Sequence, residues 1–427
     1  MSEWKQIDEI AKVRRGASPR PIGDPKYFGG EVGWVRISDV TRSSRFLRET
    51  EQYVSPLGES LSVRVNPGEL IMSICGTLGR PIIVDMPACI HDGFVQFSSL
   101  RDADTVYLYY ALQHAESAFN GMGQPGTQTN LNTGLVGRHQ IFAPKIEKQR
   151  RIAEILSTTD EAIEQTEALI AKCQQIKAGL MHDLFTRGVT SDGQLRPTRA
   201  QAPQLYRNDP RFGWIPKGWE VARLKDKAQA GKSHIKTGPF GTSLKGEHWV
   251  QHGHPVITIG ALGEGELLPE GLLFVSPATA LRLHDYQLTV GDVVFSRVAD
   301  VGRSAVIEEE HAGWIMSSNL MRISLNPCLV EPHYLQSQFA SDLRLKAQIR
   351  TNVNSGGRDV ANGQILNRLL FVWPPHDEQI LALSRMQALD LYRRTLISRA
   401  AKLRAQKQGL MQDLLTGRVP VKVGIAA

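Results

Sequence analysis

The sequence predicts an α+β protein made twice over: two globular domains separated by two long antiparallel coiled-coil helices, with the halves related by a pseudo-twofold internal repeat. Three observations predict it. Residues 178–189 read AGLMHDLFTRGV and residues 408–419 read QGLMQDLLTGRV, a shift of 230 positions (408 − 178). The same shift carries Glu147 onto Asp377, Gln149 onto Gln379, Leu180 onto Leu410 and Thr186 onto Thr416. Solenoid repeats are far shorter, so the repeating unit is a whole domain plus its helix. The second observation is a heptad pattern ahead of each copy. The third is that GDVVFSRVADVGRSAVI at 291–307 overlays GELIMSICGTLGRPIIV at 68–84 without a gap, at a shift of 223. The insertions therefore lie inside the globular parts, while the helices keep one register. Paired helices cannot gain residues singly, because each insertion rotates the helix by about 100°.

In order along the chain, the first globular domain covers 1–145. Strand-like runs stand at 33–40, 69–75 and 81–84, and GTLGR between the last two suggests a hairpin with a broad loop. Residues 104–119 read as helix, and a Gly/Gln/Asn/Thr-rich loop precedes the apolar QIFAP. The first spacer helix covers 146–188. Its apolar or small residues form one series at Ile152, Thr159, Thr166, Cys173 and Leu180, and a second at Ile155, Ala162, Leu169 and Ile176. Spaced by seven and offset by three, these predict a coiled-coil seam. A helix of this length spans roughly 60 Å.

A polar linker with Pro and Gly but no period covers 189–218 and should be extended and surface-lying. The second globular domain, 219–375, repeats the grammar of the first. The second spacer helix, 376–420, supplies Leu389, Leu396, Leu403 and Leu410 at heptad spacing, and 421–427 form a tail. The charged residues of the second helix are mostly basic, including Arg393, Arg394, Arg399, Lys402, Arg404 and Lys407, and the first leans acidic around Asp160, Glu161, Glu164 and Glu167, which suits pairing within the chain. Gly188 and Gly417 read as the helix terminators.

Composition excludes several classes. A 427-residue chain with 41 % hydrophobic and 22 % charged residues builds folded cores rather than disorder. The formal net charge of +7 is compatible with a polyanionic partner and favours one only weakly. Four scattered cysteines form no CxxC, which argues against a disulfide framework and a structural zinc. The N-terminus lacks an apolar signal core and no run of eighteen apolar residues occurs, so a cytoplasmic location is expected. Gly231-Lys232-Ser233 ends a phosphate-loop pattern, but Asp226 stands where its leading glycine belongs. His252 and His254 lack a third metal ligand at suitable spacing. No methyl-donor loop or base-holding box occurs, so no catalytic or metal site is expected on this chain.

Polar loops carry the stronger signal, because reading a DNA groove needs Arg, Lys, Asn, Gln and Ser on projecting loops. In the first domain the candidates are Ser18, Arg20, Arg36, Arg80, Gln128, Asn130 and Asn132. In the second they are Lys236, Ser243, Lys245, Arg297, Arg303, Arg358 and Asn362. Solvated turns are the bland reading of any one loop. A scaffold binding only protein partners through its coiled coil is the competing reading of the whole, and an enzyme with its own methyltransferase activity ranks last.

The paired endings GLMxDLxTG/R, the linker GQLRP…LYRNDPRFGWIPKGWEVARL and the IKTGPFGTSLKGEHWV opening of the second domain resemble the specificity subunit of type I restriction–modification systems, over nearly the whole chain. The resemblance implies two target-recognition domains, each reading half of a split, asymmetric double-stranded DNA site. It also implies two modification (methyltransferase) subunits docked on the helices, and restriction subunits with ATPase and nuclease activity. S-adenosylmethionine, ATP and Mg are then expected on those partners and no cofactor on this chain.

Overall fold

A computed structural model describes residues 3–122, 131–240, 243–298, 300–353 and 360–422. The chain divides into two compact units, and neither coincides with one globular domain alone. The first unit holds residues 1–168 and 396–427, and the second holds 169–395. Each unit is thus one globular domain with half of each long helix.

In the first unit a five-stranded sheet runs Lys12–Arg15, Phe94–Ser98, Leu70–Ser73, Pro81–Val84, Phe46–Leu47 from edge to edge. The expected hairpin is there, with Leu70–Ser73 antiparallel to Pro81–Val84. Both strands are buried along their whole length and apolar but for Ser73, because both faces are covered. Ile71, Ile82 and Val84 pack against a four-stranded sheet built from Gln52–Val54, Phe28–Val35, Ala88–Ile90 and Val63–Val65. Their neighbours Leu70 and Met72 point the other way, as strand alternation requires, into a core shared with the helix Thr105–His114. The long helices close that core: Ile152 and Leu156 from one, Met411 and Leu414 from the other, with Leu415 just past its end.

The second unit repeats this plan. A four-stranded sheet orders Ile235–Thr237, Leu320–Ile323, Val293–Ser296 and Ser304–Val306, and a second four-stranded sheet lies around His254–Ile257. Val293 and Phe295 face the helix Pro332–Ser341, while Val294 faces the other core. Met181, Leu184 and Phe185 meet Ala382, Leu383 and Met386 in a further cluster, the counterpart of the helix contribution in the first unit. The linker departs from expectation. Tyr206–Asp209 and Gly213–Pro216 pair as a hairpin whose turn is capped by the Asp209 carboxylate, and Ile215 is buried with Trp219 and Val372.

The long helices run Ile146–Thr186 and His376–Leu414. Acidic residues occupy both first turns, where the helix dipole favours them. Each helix stops at a left-handed glycine, Gly188 at φ 62° and Gly417 at φ 72°. A Cβ at Gly188 would strike Trp219 and Glu378, and one at Gly417 would strike the Phe142 ring, so both sites demand glycine twice over.

The helices pair antiparallel within each unit. Asp160 meets Lys407 at 2.7 Å and Glu167 meets Arg404 at 2.5 Å in the first unit, position rising on one helix as it falls on the other. Lys177 meets Asp390 at 2.7 Å in the second. The seam corrects the sequence expectation in one respect. The series through Ile152, Thr166, Cys173 and Leu180 does face inward, and so do Leu389, Leu396, Leu403 and Leu410. The companion series runs through Leu156, Ile163, Ile170, Lys177 and Leu184, offset by four rather than three. Ile155 is half-buried beside the first domain's core, but Leu169 and Ile176 are 41 % and 48 % exposed and lie off the seam. Lys177 made the true series look like surface, yet its ammonium is taken up by Asp390.

Candidate nucleic-acid interface

The matched candidates turn out to build the same scaffold in both domains. The hairpin loop after Leu70–Ser73 is folded back by the Ser73 hydroxyl, which donates to the Thr77 carbonyl, and by Gly79 N–H donating to the Ser73 carbonyl at 2.9 Å. Ser296 donates to the Asp300 carbonyl in the same way, and Gly302 N–H donates to the Ser296 carbonyl at 3.3 Å. Arg80 then reaches the carbonyls of Thr41 and Ser43 at 3.4 and 3.5 Å, while Arg303 reaches that of Ile259 at 3.4 Å. Asn132 and Asn362, again 230 positions apart (362 − 132), each cap a short helix by accepting an N–H three residues on, at 2.9 Å in both.

The helix bases match as closely. Gln149 and Gln379 are buried in the first turns of the long helices. Gln149 accepts from Asp104 N–H at 3.0 Å and donates to the carbonyls of Asp102 and Pro144. Gln379 accepts from Glu331 N–H at 2.9 Å and donates to those of Leu329 and Pro374. Each glutamine locks its long helix to the start of the domain helix beside it.

The unmatched candidates make two different surfaces. In the first domain Asp92 gathers them. Ser18 donates to it at 2.6 Å, Arg20 pairs with it at 3.1 Å, and Arg15 donates to its main-chain carbonyl at 2.7 Å. The Ser18 hydroxyl, with Arg20 adding to it, holds the Asp92 carboxyl below its ordinary value. Arg36 is exposed beside a cavity of about 700 Å³ lined by Phe28, Trp34, Gln52 and His91. Burial pushes the His91 imidazole below its usual value, so it is neutral and accepts from Gly93 N–H at 2.9 Å.

In the second domain an arginine plays the organising part. Arg297 donates to the carbonyls of Ala361 and Ser318 at 3.3 and 3.4 Å and lies over the Phe240 ring, and its burial lowers its pKa. Lys236 stands 4.9 Å over the Tyr286 ring and 3.5 Å from Asp285. Lys245 is exposed, and the carbonyl of nearby Ser243 accepts from Arg282 at 3.3 Å. Gln128, Asn130 and Arg358 lie outside the described residues. Sequence reasoning passed over Asp92, Gln52 and Tyr286, whose neighbours in sequence carry no motif. Among the described residues no group of three or more His, Cys, Asp or Glu could hold a metal ion, and no helix is long and apolar enough to cross a membrane.

Two domains of one scaffold with different polar surfaces fit a reader of two different sequences. The chain matches the type I restriction modification DNA specificity domain over residues 1–175 and 216–402. It belongs to that family. Members recognise target DNA and scaffold a complex without catalysis of their own. Among its relatives, the type I restriction enzyme MjaVIII specificity subunit of Methanocaldococcus jannaschii is 22 % identical, with 94 % of this chain and 92 % of that protein covered. The MjaIX specificity subunit of the same organism is 24 % identical over 54 % of this chain and 53 % of its own length. Among solved structures, a chain from a study of complex assembly and conformational transition of the type I system superposes with a TM-score of 0.61 at 16 % identity, covering 97 % and 98 % of the two chains. The S subunit of M. genitalium gives 0.54 at 13 % identity, covering 96 % and 95 %. At these identities the structures speak for the fold, which is the two-domain, two-helix plan of this family member.

Proposed function

We propose that this family member selects the DNA site for a type I restriction–modification complex in the cytoplasm, each recognition domain reading one half of a bipartite, asymmetric target. One observation carries the reading: at matched positions the two domains keep the same framework bonds while the polar side chains they expose differ. A shared frame with unlike surfaces is what two unlike half-sites require. The half-sites lie about one helical turn apart, 34–36 Å centre to centre. Phosphate contacts come from the basic loops, and base contacts come from the unmatched residues.

Two methyltransferase subunits dock on the long helices, and restriction subunits join that core, supplying S-adenosylmethionine, ATP and Mg chemistry. The exposed Leu169 and Ile176 support this docking, since they form an apolar outer stripe the seam does not use. Methylation mapping in a host carrying the system tests the reading: a split, asymmetric motif is expected, and a continuous palindrome counts against it. A salt titration of DNA binding separates it from a protein-only scaffold, which would show no steep dependence on salt.

A further inference from the structure

Around one loop the two recognition domains correspond bond by bond. Gly16 N–H donates to the Phe94 carbonyl at 2.9 Å, and Gly238 N–H donates to the Leu320 carbonyl at 3.0 Å. A Cβ on Gly16 would strike the His91 carbonyl and one on Gly238 the Ser317 carbonyl, each three residues before its acceptor. Ile74 N–H donates to Gly93 and Arg297 N–H to Asn319, while the carbonyls of Ile74 and Arg297 accept from Leu131 and Ala361 N–H. On this frame Ser18 corresponds to Phe240, Asp92 to Ser318 and Ile74 to Arg297. In the first domain Ile74 is buried and Ser18 is tied to Asp92 at 2.6 Å. In the second, Arg297 donates to the carbonyls of Ala361 and Ser318 and sets its guanidinium 5.0 Å from the centre of the Phe240 ring. Phe240 is 57 % exposed and, among the described residues, joins none of the buried apolar clusters beside it.

A single exposed apolar side chain needs no explanation. One backed by a half-buried arginine, at a position that the other domain fills with isoleucine, does. The guanidinium has a flat face suited to an aromatic ring, and its hydrogen bonds to two carbonyls fix that face in place. The same loop carries the exposed Lys245, and the exposed Arg282 donates to its Ser243 carbonyl, so the ring stands in basic surroundings. We infer that Phe240 is an apolar wedge that stacks on a base of the half-site read by the second domain, with Arg297 as the positioning residue behind it. The inference rests on the bipartite reading above. A wedge of this kind partly unstacks a base step, so this half-site is read in part by how readily one of its steps opens. The first domain, with Ser18 at the matched position, has no such wedge there.

The test binds the full chain, assembled with its methyltransferase subunits, to duplexes carrying 2-aminopurine at successive positions across both half-sites, and reads the fluorescence released on unstacking. A base that the methyltransferase turns out for reaction gives a signal of its own, which should persist in every variant and serves as the reference. A further signal is expected in one half-site only. Phe240→Ala should abolish it and weaken binding about tenfold, with the dependence of binding on salt unchanged because no phosphate contact is lost. Phe240→Trp should keep it. Arg297→Ile, which installs the residue of the first domain, should reduce it although Phe240 is still present. Should Arg297→Ile not fold, Arg297→Lys serves in its place, since it keeps the charge and loses the flat face. An identical fluorescence profile in the parent and Phe240→Ala overturns the inference, and so does a signal that survives at full height in the Arg297 variant. If methylation mapping of the parent shows no split motif, the reading of function fails, which is a separate outcome.

Discussion

The Asp160–Lys407 and Lys177–Asp390 pairs occupy matched positions, yet their surroundings differ. In the first unit Tyr110 donates to Asp160 at 2.8 Å and its ring lies 5.4 Å beneath the Lys407 ammonium, which also donates to Gln113 at 3.1 Å. The recognition domain therefore roofs that pair. In the second unit the positions matching Tyr110 and Gln113, at the 227-residue shift that carries Tyr107 onto Tyr334 (334 − 107), are Ser337 and Ala340, too short to reach across. The second unit is instead held one turn into its helix. Buried Glu378 accepts from Val189 N–H at 3.0 Å, from Arg196 at 3.0 Å and from the Trp219 indole at 3.1 Å. Its counterpart in the first unit, Lys148, makes an exposed 3.5 Å pair with Glu3. One recognition domain grips the middle of the coiled coil, whereas the other is gripped through the linker at its base. Equivalent positions in a duplicated protein thus share geometry without sharing energetic weight.

The largest expected effect lies in the contacts at the helix base. Glu378→Ala leaves the Arg196 guanidinium without its carboxylate in a buried setting and should cost about 3–5 kcal/mol. Lys148→Ala should cost no more than about 1 kcal/mol. Urea unfolding of the full chain monitored by Trp fluorescence measures both, and equal losses would refute the asymmetry. At the seam, Lys407→Ala strands a largely buried carboxylate and should cost about 1–3 kcal/mol, against less than about 1 kcal/mol for the more exposed Lys177. The same titration ranks them.

The reading surfaces come next. Arg36→Ala should weaken binding by about 1–3 kcal/mol if its guanidinium meets a base, and relax the motif in one half-site only. Arg80→Ala and Arg303→Ala, which remove matched framework bonds, should each cost about 0.5–1.5 kcal/mol of stability and leave the sequence preference intact. Selection of binding sites from a randomised duplex pool distinguishes the two behaviours.

The smallest effect is on pH. Burial lowers the pKa of His91, His114 and His139, all in the first unit. A folded pKa below the unfolded one favours proton uptake by the unfolded chain, so stability is full above the ordinary value of 6.5 and declines as pH falls beneath it. His91→Gln should flatten part of that decline. Hydrogen exchange in Phe94–Ser98 against Leu320–Ile323, followed from pH 7 into the acid range, would reveal whether the first unit loosens ahead of the second.

These same residues show how much of the protein was legible in its sequence. The helix limits were legible because Pro144 and Pro374 precede the helices and glycines end them, and the repeat shift is constant along them. The seam was half legible. Ile155, Ala162, Leu169 and Ile176 form a clean apolar series, whereas the true companion series contains Lys177, and nothing local says that a lysine has an aspartate waiting 213 positions away. The reading residues were the least legible. Asn132 and Arg80 have the right chemistry for DNA but spend hydrogen bonds on the frame, and Asp92 gathers Ser18 from 74 positions away.

The sequence by itself determined the duplication, the α+β class, the two matched helices and the family, because periodicity, turn residues and repeat spacing are local or directly comparable quantities. Only the tertiary structure decided which face of each helix lies inward, which arginines and asparagines are framework, and that each compact unit takes half of both helices. Those outcomes depend on partners distant in sequence. A charge is surface or seam, and a polar side chain is reader or brace, according to what folding brings within about 3 Å of it.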